Sequence, residues 1–200
     1  MLPRIALLAY VVFAALAFGW RSWIHWRRTG ATGYVGLSGS PGSPEWLGGV
    51  LFVVAILAAP LAALLELRAT LTPLVRIPAP VALVLGGGVY LVGIVGTLWS
   101  QLSMGASWRV GVRSDERTAL VTRGPYRAIR NPIFTFMIAA LLGLVLLTPN
   151  VLALLALATL VAAVEIQVKV VEEPHLERAH GDAYRRYRAR TWRFVPGLGR

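Results

Sequence analysis

Five apolar stretches, separated by short polar segments, constrain the fold of this chain more than any other feature. A helix needs about 20 apolar residues to cross the hydrocarbon core of a bilayer, because each residue adds about 1.5 Å. Since backbone groups in lipid must pair within the protein, such stretches favour helices. The sequence therefore predicts an all-α integral membrane protein with about five transmembrane helices. The predicted spans are 2–19, 46–67, 79–98, 133–147 and 151–168.

Composition supports a membrane domain and limits the chemistry that the chain can perform. Hydrophobic residues make up 56% of the 200 residues and charged residues only 14%, which is not the composition of a soluble protein. We predict a single membrane domain over residues 1–200. The chain has no cysteine, and its three histidines form no metal-ligand pattern. Disulfides and thiolate metal sites are therefore excluded, and we expect no bound metal.

Positive charges are distributed unevenly between the two sides that the spans define. Segments 20–44, 101–132 and 169–200 fall on one side and carry 17 of the 20 Lys and Arg residues. Because basic loops remain in the cytoplasm, we expect an outside N-terminus, a cytoplasmic loop 101–132 and a cytoplasmic tail 169–200. The expected location is the plasma membrane of a prokaryote. Arginines beside apolar spans suit anionic lipid headgroups better than nucleic acid, despite the net charge of +11.

Residues 122–134 form a polar, cationic segment between the third and fourth apolar stretches. This segment contains three arginines and two turn dipeptides, Gly124-Pro125 and Asn131-Pro132. Each dipeptide stops a helix, because proline removes a backbone donor and restricts the residue before it. On charge alone, an ordinary positive-inside loop remains an alternative interpretation of the segment.

The same segment carries a family resemblance. Gly124-Pro125-Tyr126, Arg130-Asn131-Pro132 and Phe134 resemble the signature G-P-Y-x-x-x-R-H-P-x-Y of the isoprenylcysteine carboxyl methyltransferase family of integral-membrane enzymes. A second block reads Glu172-Glu173-x-x-Leu176, then Gly181-x-x-Tyr184-x-x-Tyr187-x-x-Arg190, and is similar to the tail of that family. The resemblance implies S-adenosylmethionine-dependent methyl transfer. It also implies a cytoplasmic cofactor pocket formed by the loop before span 4 and the C-terminal helix.

The first block supplies most of the predicted cofactor-binding residues. The resemblance implies that Arg130, Asn131, Pro132 and Phe134 lie on S-adenosylmethionine. Their chemistry suits this ligand, because the guanidinium of Arg130 can bind a carboxylate through two hydrogen bonds. The aromatic faces of Tyr126 and Phe134 can contact the adenine or, through a cation–π interaction, the sulfonium.

This chain departs from the family signature at three positions. Asn131 stands where the family has His, so the amide can form hydrogen bonds but cannot titrate. Phe134 replaces Tyr, which keeps the ring and removes the hydroxyl. Phe136 replaces Gly, and we expect it to narrow the space near the cofactor. These changes leave cofactor binding possible but exclude a catalytic role for a histidine proton at this position.

The second block supplies the acidic residues and a candidate acceptor contact. Glu165, Lys169 and Glu172 fall on one helix face, so one interpretation of Glu172 is that it belongs to an ion-pair ladder along that face. The family resemblance implies instead that Glu172 and Glu173 contact the cofactor or order the arginines. Glu173 and Arg190 are the catalytic candidates, with Arg190 orienting the acceptor, particularly a carboxylate.

Methyl transfer suits a site without cysteine, catalytic histidine or metal. An in-line displacement depends on alignment and desolvation, whereas hydrolysis requires an activated nucleophile. The predicted acceptor is a lipophilic, membrane-permeable or lipid-linked molecule with a carboxylate, thiol or amine, and membrane lipids are the other expected partners. Two alternatives remain open. One is an NADPH-dependent reductase related to sterol reductases, and the other is a non-catalytic membrane protein with the same fold.

Overall fold

The computed structural model describes residues 1–111, 119–197 and 199. Within these ranges the helix is the only regular element, and the connecting segments form two isolated bridges. The predicted all-α class is therefore confirmed. Residues 112–118 of the predicted loop 101–132 lie outside the described residues, as do positions 198 and 200 of the predicted tail.

Six helices, numbered here along the chain, form the described part of the structure. They are α1 (Leu2–Thr29), α2 (Pro44–Leu67), α3 (Ala79–Met104), α4 (Pro132–Leu147), α5 (Val151–His180) and α6 (Asp182–Arg190). By length and composition, α1, α2, α3 and α5 can each cross a membrane, and α4 is a shorter apolar helix of 16 residues. This pattern of apolar helices is that of an integral membrane protein.

The helices begin where the sequence supplies caps and proline. Ser43 Oγ accepts a hydrogen bond from the Trp46 backbone NH at 3.2 Å, and Pro44 occupies the first turn of α2. Asn150 caps α5 in the same way, through Oδ1 and the Ala153 NH at 3.0 Å. These caps fix where α2 and α5 begin, and the two helices pack against each other.

Helices α1 and α5 extend furthest beyond the predicted spans. The apolar part of α1 ends near residue 19, yet the helix continues to Thr29 with Arg21 and His25 buried. The guanidinium of Arg21 donates to the Gly105 carbonyl at 2.7 Å, so this charge lies inside the structure and not in an interfacial belt. Likewise α5 continues beyond residue 168 through a wide π-helical turn, Gln167–Glu172. Proline at position 174 follows this turn without ending the helix.

Glycines let α3 and α4 approach closely. A Cβ at Gly93 would lie 2.3 Å from the Ala140 backbone N, and one at Gly143 would lie 2.5 Å from the Tyr90 backbone N. The ring of Phe136 occupies the space beside Gly96, where an added Cβ would be 2.3 Å from it. Gly86, Gly93 and Gly96 therefore serve helix packing, whereas a Cβ at Gly87 or Gly88 would meet nothing within 4 Å. Phe136 also packs there and is not among the residues that line the cavity described below, contrary to our expectation.

Candidate functional site

A cavity of about 510 Å³ lies at one end of the helical bundle. Its walls come from the late part of α1, the early part of α2, the late part of α3, the start of α4 and the late part of α5. Extended segments complete it, because residues 34–38, 107–111 and 119–121 also line the space. Both signature blocks reach this cavity, which makes it the candidate functional site.

A buried ion pair joins the two signature blocks. Arg130 and Glu173 side chains are 2% and 10% exposed, and Arg130 Nη2 lies 3.2 Å from Glu173 Oε1. Arg193 completes the cluster, with Nε 2.9 Å from Oε1 and Nη2 2.8 Å from Oε2 of the same carboxylate. Two guanidinium groups therefore share one carboxylate, and the pKa of Arg193 is raised above its ordinary value by this hydrogen bond.

Every N–H of the Arg130 guanidinium has an acceptor within the protein. Nε and Nη2 donate to Glu173, while Nη1 donates to the carbonyls of Arg188 and Thr191. Nη2 also donates to the Gly199 carbonyl at 3.3 Å. Since a guanidinium has five N–H groups, a ligand carboxylate would have to displace one of these partners. Arg130 thus holds the tail, although it also lines the cavity.

Backbone pairing connects the start of α4 to the chain after α6. The Arg130 NH donates to the Trp192 carbonyl at 2.7 Å, and the Trp192 NH donates to the Ala128 carbonyl at 2.9 Å. Asn131 adds two bonds to the Arg193 carbonyl, from its NH at 3.1 Å and from Nδ2 at 3.2 Å. The amide of Asn131 therefore aligns the tail without a titratable group.

The turn before Arg130 depends on glycine. Gly124 adopts φ +59°, and a Cβ there would lie 2.6 Å from Ser103 Oγ, so a larger residue is disfavoured. The following 3₁₀ turn, Gly124–Arg127, buries Tyr126, whose carbonyl accepts a hydrogen bond from the Tyr187 hydroxyl at 2.8 Å. The turn thereby places the side chain of Tyr126 at the cavity.

Both phenols near this turn stay neutral over the ordinary pH range. Burial, reinforced by the nearby charge of Glu172, raises the pKa of Tyr126 well above its usual value. Burial also raises the pKa of Tyr187 to about 12. Each hydroxyl therefore remains a hydrogen-bond donor, and neither is suited to accept a proton.

The predicted site residues separate into two groups. Five line the cavity: Tyr126, Arg130, Asn131, Phe134 and Glu172. The other three lie outside its lining. Pro132 is buried in the first turn of α4, Glu173 is held in the ion pair, and Arg190 is exposed at the end of α6. Adjacent glutamates therefore point to different surroundings, as expected for neighbours on a helix.

The alternative interpretation of an ion-pair ladder applies to only part of α5. Lys169 and Glu165 form an i,i+4 ion pair at the surface, where both side chains are well exposed. Glu172 lies beyond that pair and lines the cavity, after the π-helical turn has changed the register of the helix. One carboxylate of the predicted ladder thus belongs to the candidate site.

The cavity also contains polar residues that the sequence did not identify as site residues. Arg109, Gln101, His175 and Tyr34 all contribute to its lining. Gln101 Nε2 donates to the Ala17 carbonyl at 3.0 Å, and its Oε1 has no hydrogen-bond partner among the described residues. The described residues include no group of three His, Asp or Glu side chains that could hold a metal ion. No local sequence pattern marked these residues, because only the fold brings them together.

A family model for phospholipid methyltransferases matches residues 81–183, just over half of the chain. The match runs from α3 through the first signature block and α5 into α6. It confirms the predicted kinship with integral-membrane methyltransferases. No curated protein matches the chain. The matched range supplies the α3, α4 and α5 walls of the cavity, whereas α1, α2 and the segment between them lie outside it.

Removal of the shared carboxylate tests the ion pair. The Glu173→Ala variant leaves Arg130 buried without a countercharge, so we expect the free energy of unfolding to fall by about 3–5 kcal/mol. Thermal and denaturant unfolding of detergent-purified protein measures this change. The control is Asp182→Ala, which breaks an exposed pair with Arg185 and should have little effect. Equal stability of the two variants would contradict a structural role for the buried pair.

Proposed function

Because this chain belongs to the phospholipid methyltransferase family, we propose that it transfers a methyl group from S-adenosylmethionine to a lipophilic or membrane-permeable acceptor. The observation that carries the proposal is the cavity that both signature blocks line and that also reaches lipid-facing side chains of α2. A cofactor from water and an acceptor from the bilayer can meet in such a space. The family supports the reaction class, and the cavity supports the choice of ligands.

The residues of the cavity fit S-adenosylmethionine in charge and shape. Its volume of about 510 Å³ lies in the range of small-molecule sites, about 300–1,000 Å³. The amino and ribose groups of the ligand need an acceptor, which the Glu172 carboxylate provides. The carboxylate of S-adenosylmethionine needs a cation, which Arg109 can provide. Arg109 lies on the cavity wall, close enough to Glu172 to interact with it electrostatically. Apolar and aromatic walls complete the match.

The proposed roles follow from the position of each side chain. Glu172 accepts hydrogen bonds from the bound cofactor, and Tyr126, Asn131 and Phe134 form the wall beside it. Arg130 and Glu173 keep that wall in place, because their polar groups are mutually satisfied. Pro132 starts α4 without a backbone donor. When bound, the cofactor supplies a methyl group activated by a sulfonium. The chain aligns the two reactants and excludes water from between them.

Arg190 has a different proposed role. Its guanidinium is exposed at the end of α6, outside the cavity lining. From that position it can contact an anionic acceptor or headgroup at the membrane surface before the acceptor reaches the cavity. We therefore retain Arg190 as an acceptor contact and not as a group at the reacting atoms.

We propose that the acceptor reaches the cavity sideways from the bilayer. Val53 and Leu57 line the cavity, yet they are 46% and 65% exposed on the outer face of α2. Gly49, Phe52 and Ile56 continue the same helical stripe, at spacings of three and four residues. This stripe forms an apolar path between the lipid-facing surface and the signature residues.

Acceptor chain length tests this path. For matched long- and short-chain thiols, amines and carboxylates, we expect kcat/KM to rise by about fourfold per buried methylene. Radiolabelled methyl transfer to octanethiol and to 2-mercaptoethanol measures the effect for thiols. Equal rates for the long and short members of every accepted pair would contradict access from the bilayer.

We also propose that the cavity faces the cytoplasm, with the N-terminus outside. The basic segments that flank the cavity carry most of the positive charge, and S-adenosylmethionine is a cytoplasmic compound. The absence of cysteine makes single-cysteine variants specific reporters. In intact cells, an impermeant maleimide should label Thr70→Cys, between α2 and α3, and should not label Ala189→Cys in α6. The reverse labelling would invert the proposed orientation.

Calorimetric titration of the detergent-purified protein with S-adenosylhomocysteine tests cofactor binding. We expect saturable binding, and a Kd about 10-fold or more higher for Glu172→Gln, because a charged hydrogen bond contributes about 1.5–3 kcal/mol. Glu177→Gln, at a half-exposed position of α5 outside the cavity lining, is the matched control. Arg130→Ala should also lose affinity through the displaced tail, whereas Arg186→Ala should not. Binding of NADPH alone would assign the protein to the reductases, and binding of neither ligand would refute an enzymatic site.

A further inference from the structure

The segment between α1 and α2 has a glycine at every third position. We call residues 30–43 the glycine loop. Its five glycines all adopt positive φ, between +77° and +86°. L-residues rarely adopt this conformation, so the spacing of glycine determines the path of the loop. The members of this repeat are Gly30, Gly33, Gly36, Gly39 and Gly42. Four residues of the segment line the cavity wall, and they are Tyr34, Gly36, Leu37 and Ser38.

Three contacts anchor the glycine loop. Gly33 lies against the Trp108 ring, where an added Cβ would be 2.7 Å from Cζ3. The Val35 NH donates to the Val110 carbonyl at 2.9 Å, and the Val110 NH donates to the Gly33 carbonyl at 2.7 Å. Leu37 lies against α2 at Gly49, where an added Cβ would be 2.6 Å from Leu37 Cδ2. The loop is therefore attached both to α2 and to the segment after α3.

The first anchor is itself rigid. Trp108 is 2% exposed, and the Arg21 guanidinium lies over its ring at 4.4 Å from the centroid. His25 contacts the ring edge-on, with 5.6 Å between centroids. Because Arg21 also donates to the Gly105 carbonyl, α1, α3 and the loop meet at one buried indole. Residues beside Gly33 are consequently held in place.

Tyr34 lies between these anchors and lines the cavity, and the residue is 51% exposed. The aromatic residues predicted from the sequence, Tyr126 and Phe134, are less available to a ligand. Tyr126 is only 7% exposed, and Phe134 packs edge-on against Phe52 at 6.5 Å between centroids. An aromatic residue whose backbone is anchored on both sides, and whose side chain is left uncovered at a cavity, is suited to stack on a flat ligand.

We propose that Tyr34 is a cofactor-binding residue whose ring stacks on the adenine of the bound cofactor. The glycine loop joins the basic end of α1 to the start of α2, and thus lies at the aqueous end of the cavity. A cofactor from water reaches this end, whereas the apolar stripe of α2 leads to the bilayer. The inference rests on the proposed function in taking the ligand to be a nucleoside. Adenine is common to S-adenosylmethionine and NADPH, so stacking does not depend on which of them binds.

Substitution of the ring tests the proposal in the full-length, detergent-purified protein. Stacking of a base on an aromatic side chain contributes about 1–3 kcal/mol, so Tyr34→Leu should raise the Kd of S-adenosylhomocysteine by about 5- to 150-fold. Adenosine, used as a second probe, should lose affinity by a similar factor, because the loss belongs to the base. Tyr34→Phe keeps the ring and should bind normally. Ser40→Ala, in the same loop but outside the cavity lining, is the control.

Glycine variants test the anchoring of the ring independently. Gly33→Ala places a methyl group against Trp108 and should weaken adenosine and S-adenosylhomocysteine binding by displacing Tyr34. Gly42→Ala has a similar φ but meets nothing within 4 Å, so it introduces the same backbone strain without that displacement. It should bind both probes normally.

The outcomes separate this inference from the proposed function. If the unmodified protein binds S-adenosylhomocysteine and Tyr34→Leu binds it equally well, the stacking role is refuted and the proposed function stands. If Tyr34→Phe loses as much affinity as Tyr34→Leu, the hydroxyl and not the ring is responsible, and stacking is again refuted. If the unmodified protein binds neither S-adenosylhomocysteine nor NADPH, the proposed function fails together with this inference. Unfolding temperatures without ligand should be equal for all Tyr34 variants, because the ring is half exposed.

Discussion

The buried ion pair of Arg130 and Glu173 is the interaction on which the rest of the site depends. Burial of two charges is costly, and their attraction offsets that cost only when the remaining polar groups also find partners. Here a second guanidinium, that of Arg193, pairs with the Glu173 carboxylate. Three backbone carbonyls accept the remaining N–H groups of Arg130. The pair therefore fastens the tail to the start of α4. It acts together with the hydrogen bond from the Tyr187 hydroxyl to the Tyr126 carbonyl, which also joins the two signature blocks.

Much of the fold follows from the sequence, because hydropathy determines which segments enter lipid. The helix ends were less predictable. The extension of α1 depends on Arg21, a charge that normally ends an apolar span. That charge is accommodated by the Gly105 carbonyl and the Trp108 ring, which lie more than 80 positions along the chain. Contacts of this kind are tertiary, so no local pattern reveals them. For α3, in contrast, a glycine-rich sequence itself favours close packing, and Gly86, Gly93 and Gly96 do pack against α4.

For the candidate site, sequence patterns predicted which segments form the site better than they predicted what each side chain does there. The signature blocks do meet at one cavity, as their resemblance to a methyltransferase family implies. A motif does not distinguish a side chain that touches a ligand from one that holds the wall. That distinction depends on donor counts, such as the fully occupied guanidinium of Arg130, and on helix register, which turns Glu172 inwards and Glu173 to the arginines. Tyr34 was missed because its place depends on pairing with Val110, not on its neighbours in sequence.

The departures from the family signature are compatible with this architecture. Nδ2 of Asn131 donates to the Arg193 carbonyl, so the residue aligns the tail through a neutral amide whose hydrogen bond does not depend on pH. At Phe134, the ring packs against Phe52, an apolar surrounding in which a tyrosine hydroxyl would need a partner of its own. Both residues therefore make contacts that shape the cavity. Because methyl transfer depends on alignment and exclusion of water more than on proton transfer, a site that keeps its shape keeps what this chemistry requires.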